Sequence, residues 1–178
     1  MMRLLWIGGS ALLSSFAAQA EAASTTYAKV GGWEISAEPP RCIMQGFFGG
    51  KDGKKVDGLT ILYAADKGGV LLIWSNNWMT YLPTKGELDL GLVFGKDGTS
   101  VDASWGSSKL RYEKVGNDYM FTRAFKDPQE AEKFLRDFGG SQVMGLTLGG
   151  TLLTSVKPNA SEAIMKLREC SLSGSSAE

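Results

Sequence analysis

The chain has 178 residues, 43% of them hydrophobic, with 19 Lys and Arg against 19 Asp and Glu and no histidine. Balanced charge excludes nucleic-acid binding by bulk electrostatics, because no excess of cations exists to displace phosphate counterions. Without histidine there is no Ser-His-Asp or Cys-His nucleophile and no His-ligated zinc or haem, and two cysteines are too few for a Cys-only zinc site or an iron–sulfur cluster. The sequence therefore predicts no metal and no cofactor.

The first twenty residues read as a secretory signal. Arg3 gives a short positive start, and Leu4 to Phe16 is apolar apart from Gly and Ser. Ala18-Gln19-Ala20 is the small-x-small pattern of a signal-peptidase site, with cleavage before Glu21 and a second candidate at Ala20-Glu21-Ala22. The apolar run is about 13 residues, short of the roughly 20 that span a bilayer. No cysteine follows it to carry a lipid, and no later run is long enough to span after the signal is removed. Residues 1–20 are assigned to the signal, 21–29 to a linker, 30–170 to one β-rich domain and 171–178 to a disordered tail. The expected location is periplasmic or secreted.

Export makes the cysteines informative. Cys42 and Cys170 lie near the two ends of the domain, and an even pair in an oxidising compartment reads as a disulfide. Closing a loop of about 129 residues contributes roughly 5 kcal/mol through chain entropy, an upper figure.

Most of the chain reads as short strands. Tyr27 to Glu38 places Trp33 and Ile35 at period two and stops at Pro39-Pro40. Cys42 to Phe48 is next, followed by a turn cluster from Gly49 to Gly53. Leu59, Ile61 and Tyr63 alternate with Thr60 and Leu62, and Val70 to Trp74 is an uninterrupted apolar run that suits a strand covered on both faces. From Glu87 onward, Leu88, Leu90, Leu92 and Phe94 point one way, while Glu87, Asp89 and Gly91 point the other. Lys96-Asp97-Gly98 turns the chain into Val101 to Trp105. Leu110 and Tyr112 alternate with charged neighbours, and after Gly116-Asn117-Asp118 the residues Tyr119, Phe121 and Phe125 share a face.

Two helices interrupt the strands. Asp127-Pro128-Gln129-Glu130 combines an N-cap, a proline at the first helical position and a glutamate three residues on, ahead of the stripe Ala131, Phe134, Leu135 and Phe138. Gly139-Gly140 ends that helix, and Gly149-Gly150 turns a Leu-rich hairpin. The second helix begins at Asn159, with Glu162 as capping partner. It lines up Ala160, Ala163, Ile164, Leu167 and Cys170, so the cysteine falls on the buried side. Asn159-Ala160-Ser161 also matches a glycosylation sequon, but the capping role accounts for the asparagine. The predicted class is α+β, mainly β: an antiparallel sheet or β-sandwich of about eight to ten strands with two short helices in the C-terminal third.

Candidate chemistry is sparse. There is no phosphate loop, dinucleotide fingerprint, nucleophile elbow or Ser-x-x-Lys pair, and no catalytic residue is assigned. Asp89, Asp102 and Glu113 are the carboxylates that a glycoside hydrolase could use, their plainer reading being solvent-facing strand positions. The segment Trp74-Ser75-Asn76-Asn77-Trp78-Met79-Thr80-Tyr81 sets aromatic faces beside amides, the combination used in sugar and peptide recognition. Trp74 continues an apolar strand and belongs to the core. Trp78, Tyr81, Asn76 and Asn77 form the candidate binding surface. A repeat relates 50–57 to 95–102, matching at six of eight positions; it reads as two hairpins with the same Asp-Gly turn chemistry rather than as a calcium loop.

The order of features resembles the invasion-associated locus B family of small exported proteins from Gram-negative bacteria. The resemblance rests on the signal, Gly32-Trp33-Glu34-Ile35, Cys42-Ile43-Met44-Gln45, the helix ending at Gly139-Gly140, the Leu-rich hairpin and the closing Ser161-to-Leu167 helix. It spans about residues 30 to 170. The family's further cysteines, one soon after the tryptophan and a pair in mid-domain, have no counterpart here. The resemblance implies a periplasmic or surface-associated β-rich protein and transfers no functional residues. The expected function is a non-enzymatic binding or envelope-associated role with a protein or glycan partner. The alternatives are a carboxylate-dependent hydrolase acting on envelope sugars and a secreted inhibitor or immunity-type protein.

Overall fold

The computed structural model describes residues 24–49, 55–64, 68–96 and 100–174. The signal segment and the two Asp-Gly turns of the repeat, 50–54 and 97–99, lie outside the described residues.

The chain opens with a meander of five strands, β1 (Thr25–Val30), β2 (Trp33–Glu38), β3 (Arg41–Gly49), β4 (Val56–Ala64) and β5 (Gly69–Asn76). Three more follow, β6 (Lys85–Gly95), β7 (Ala103–Val115) and β8 (Asp118–Phe125), then helix α1 (Pro128–Gly140). The hairpin β9 (Val143–Leu148) and β10 (Thr151–Val156) leads to helix α2 (Ser161–Gly174). Ten strands form one open sheet in the order β1-β2-β3-β4-β5-β8-β7-β6-β9-β10, with every neighbouring pair antiparallel. Of the two architectures left open by the sequence, the single sheet is the one adopted.

The strand alternation sets the inner face. Trp33 and Ile35, Cys42 and Met44, Leu59 and Ile61, and Val70, Leu72 and Trp74 are buried, as are Leu90, Leu92 and Phe94 on β6 and Phe121 and Phe125 on β8. On β5 the outward residues Leu71 and Ile73 remain half-buried, so the apolar run is covered fully on one face only. Its position in the middle of the sheet gives those two residues neighbours on both sides, Leu62 on β4 and Ala124 and Thr122 on β8.

The sheet is curled around α1. Phe134 packs edge-on to Phe94 of β6 at 6.2 Å and stacks on Phe125 of β8 at 4.3 Å, while Phe138 of the same helix meets Trp33 of β2 at 5.7 Å. In a flat sheet β2 and β6, six places apart in the strand order, would be separated by roughly 29 Å at about 4.8 Å per strand, far more than one helix can bridge. Asp127 caps α1 by accepting from the Glu130 amide at 2.9 Å, with Pro128 in the first turn.

The second helix is joined to β3 by the Cys42–Cys170 disulfide, and Ala160, Ala163, Ile164 and Leu167 form its buried stripe. Asn159 does not cap it. The Ile164 amide bonds to the Ala160 carbonyl at 2.8 Å, which puts the cap at Ala160, and Asn159 takes a positive φ of 44° instead. The expected linker and tail are also partly structured. β1 begins at Thr25, because its β-prone alternation finds pairing groups along β2, and α2 continues to Gly174. The Gly149-Gly150 turn has φ of 57° and 82°, the left-handed pair a tight hairpin requires. No helix among the described residues is long and apolar enough to cross a membrane.

Candidate functional site

Asp57 faces the interior. It lies two residues before Leu59 on β4, so strand alternation carries it inward with Leu59, Ile61 and Tyr63, and it is only 6% exposed. Three neutral donors hold the carboxylate. Oδ1 accepts from the indole Nε1 of Trp74 at 2.8 Å and of Trp78 at 3.3 Å, and Oδ2 accepts from the hydroxyl of Thr154 on β10 at 3.0 Å. Asn76 sits directly across from it on β5, 1% exposed, with Nδ2 unpartnered in the interior. A buried carboxylate that retains its place through hydrogen bonds from rings and a hydroxyl, rather than through an ion pair, makes a rigid polar floor.

Above that floor lies a cleft of about 680 Å³, within the usual size range of ligand sites. It is lined by the consecutive residues Phe47, Phe48 and Gly49 of β3 on one side and by Leu153 through Lys157 on the other, with Lys55 and Trp78 completing it. Successive residues of a strand point to opposite faces, so a wall made of consecutive residues is a strand seen edge-on. Two strand edges thus face each other across the cleft. β2 stops pairing with β3 at Trp33–Gly46, which leaves Phe47 to Gly49 without a β2 partner, and β10 is the last strand of the sheet. Phe47 is 74% exposed with its ring over Gly58, and Lys55 stands 5.7 Å from the Trp78 ring centre.

The residues singled out from sequence separate into different roles. Trp78 is at the cleft. Asn77 accepts from the Val56 amide at 3.0 Å and Asn76 from the Met79 amide at 3.1 Å, so both amides shape the turn after β5. Tyr81 is 67% exposed and does not line the cleft; its loop is tied down by the Tyr119 hydroxyl donating to the Leu82 carbonyl at 2.6 Å. Trp74 is core, at 1% exposure. Asp89 and Glu113 face Lys109 and Lys85 across the β6–β7 ladder on the outer face, and Asp102 accepts from the Lys96 amide at 2.7 Å. All three are exposed, and they are not gathered in one cleft. Among the described residues no group of three or more His, Cys, Asp or Glu is placed to hold a metal ion.

Asp57 was visible to sequence reading only as part of the repeat. The signal that could have found it is its phase: a carboxylate in register with Leu59, Ile61 and Tyr63 must be buried or end the strand. Its counterpart in the second copy, Asp102, is exposed and serves a turn.

A second buried charge lies on the inner face of β8. The Arg123 side chain is 13% exposed, its guanidinium lying 5.0 Å from the Phe125 ring centre and 5.6 Å from that of Trp105, with Glu130 at 4.0 Å. Burial lowers its pKa, and the Glu130 charge opposes that shift. The Trp105 indole donates to Asp137 at 3.0 Å and carries Lys133 at 4.2 Å from its ring centre. The charges in this cluster are matched among themselves, and it fixes α1 to the sheet.

No family model, curated protein or solved structure matches the chain.

Proposed function

We propose that this is an exported, non-enzymatic binding protein of the cell envelope, and that the cleft between β3 and β10 holds its partner. The observation that carries the reading is the pairing of the exposed Phe47 lip with the Asp57 floor. An exposed aromatic beside a preformed cavity suits recognition. Among the described residues Asp57 is the only carboxylate lining the cleft, and its oxygens already accept from three donors. The signal-like N-terminus, the disulfide and the resemblance to the invasion-associated locus B family support the envelope setting.

Two measurements test this. Intact mass of protein from its host should show cleavage near Glu21 and two fewer hydrogens at the cysteines; a full-length cytosolic chain with two free thiols defeats the export reading. A photo-cross-linking amino acid at Phe47 should give a discrete adduct in the envelope, while the same group at Glu113 on the outer face gives none. Equal labelling from both positions removes the cleft from the proposal.

A further inference from the structure

We infer that the cleft takes an extended, carboxylate-bearing polypeptide segment, which adds as a strand along the free edge of β10. The inference rests on the binding reading above and names the partner's chemistry.

Three observations point there together. First, β10 is a terminal strand, and no strand pairs with its outer edge among the described residues. Terminal strands normally carry charges, prolines or a covering element, because their free N–H and C=O groups recruit other chains. Thr151 to Val156 contains no charge and no proline; the bulge between Leu152 and Thr154 is the one edge-blunting feature along it, and it leaves Thr154 to Val156 in regular register. The opposite edge, β1, has Lys29 and lies against α2.

Second, the backbone of β10 faces a space with a second edge beyond it. Leu153 to Lys157 line one wall and Phe47 to Gly49 the other, so an inserted strand finds hydrogen-bonding groups along β10. Its alternate side chains meet Phe48 and Trp78 on the side of Asp57, and Phe47 and solvent on the other.

Third, the mouth carries two lysines with no ion-pair partner among the described residues. Lys55 and Lys157 line the cleft and are exposed, and neither has a carboxylate partner among the described residues. Asp57 is buried beneath them and its oxygens already accept three hydrogen bonds. An incoming segment therefore meets two ammonium groups without a carboxylate partner among the described residues, which favour Glu or Asp side chains or a terminal carboxylate.

The test uses the mature, disulfide-bonded protein and the probe acetyl-Glu-Val-Glu-Thr-Glu-Val-Glu-Thr-amide. Its controls are a version with Lys in place of every Glu, a version N-methylated at alternate backbone positions, and a sulfated tetrasaccharide. The expected result is saturable shifts of the backbone amides at Leu153 to Lys157 and of the Trp78 indole. Affinity should weaken at least ten-fold in the double variant Lys55→Gln, Lys157→Gln, and fall with added salt. The N-methylated and Lys versions should bind at least ten-fold more weakly. Equal binding of the N-methylated peptide overturns strand addition, and equal binding of the Lys peptide overturns the charge argument. If the tetrasaccharide saturates the cleft and the peptide does not, this inference fails while cleft binding stands. If neither probe shifts the cleft and Phe47 gives no cross-link, both fail.

Discussion

Thr154 on β10 donates its hydroxyl to Asp57 on β4 at 3.0 Å, although the two strands stand six places apart in the sheet. At about 4.8 Å per strand a flat sheet would separate them by roughly 29 Å. That single contact shows the last strand brought round against the first half of the sheet, and it joins the floor of the cleft to one wall. Thr154→Val keeps the shape and removes the donor. Hydrogen bonds to charged groups contribute about 1.5–3 kcal/mol, and because Thr154 is half-buried the expected loss is at the low end. Asp57→Ala strands the indole N–H groups of Trp74 and Trp78 and should cost on the order of 3 kcal/mol. Urea midpoints with unchanged slopes measure both. Wild-type stability in Thr154→Val would show that apolar contact alone holds the seam.

The disulfide joins residues 128 apart in sequence and ties α2 to β3. α2 also packs on β1, β2 and β4, so the bond anchors the helix that covers the N-terminal half of the sheet. Replacing both cysteines by serine should cost about 2–5 kcal/mol. The loss should be accompanied by faster amide exchange in α2 than in β5 and β8. Uniform acceleration across the sheet would mean that the bond acts on the unfolded chain alone.

Gly46 is a close-approach point of the inner face. A Cβ there would stand 2.8 Å from Cε3 of Trp33 and 3.1 Å from Cζ of Phe48. Trp33 cannot yield easily, because its indole donates to the Pro158 carbonyl at 2.6 Å and its ring meets Phe138. Gly46→Ala should therefore destabilise by about 1–3 kcal/mol through overpacking. Gly140→Ala, which meets nothing within 4 Å and lies in α1, should be neutral or stabilising by up to about 1 kcal/mol. Thermal midpoints of the two variants moving together would contradict this contrast.

The elements legible in the sequence were those whose reasons are local. The period-two stripe of Leu88, Leu90, Leu92 and Phe94 named its own buried face, and the Asp127-Pro128 start and the Gly149-Gly150 turn are set by single residues. The Cys42–Cys170 pairing was legible because only two cysteines exist. The cleft was not legible, because it arises between β3 and β10, strands more than a hundred residues apart that approach only when the sheet curls. Trp78 could be marked as an aromatic beside amides, but not its bond to Asp57, and the Thr154 bond to the same carboxylate depends on that curvature. Asn76 and Asn77 carry the same residue signal whether they face a ligand or, as here, cap a turn. Asn159 failed as a helix cap because Pro158, fixed in place as an acceptor for Trp33, sets where the chain enters α2.

The alkaline limb of stability should report on Tyr63. This residue lies on β4 beneath α1 and α2, and its hydroxyl donates to Glu132 at 3.5 Å, while Glu132 also pairs with Arg168 of α2 at 2.5 Å. Burial is the main cause that raises its pKa above the ordinary value of 10, the Glu132 charge adds to it, and Arg168 opposes it. A raised pKa means that the folded chain keeps a proton which the unfolded chain releases. The contribution is therefore complete below the ordinary value and is lost as pH rises through the folded-state one. Tyrosinate absorbance should show a component titrating above pH 10 that disappears in Tyr63→Phe, and the same variant should lose stability less steeply on the alkaline side. In Glu132→Gln that component should move back only partway, because burial is the larger cause and survives the substitution. A full return to the ordinary value in Glu132→Gln would reverse the order of the two causes, and an unchanged alkaline decline in Tyr63→Phe would remove Tyr63 from the linkage altogether.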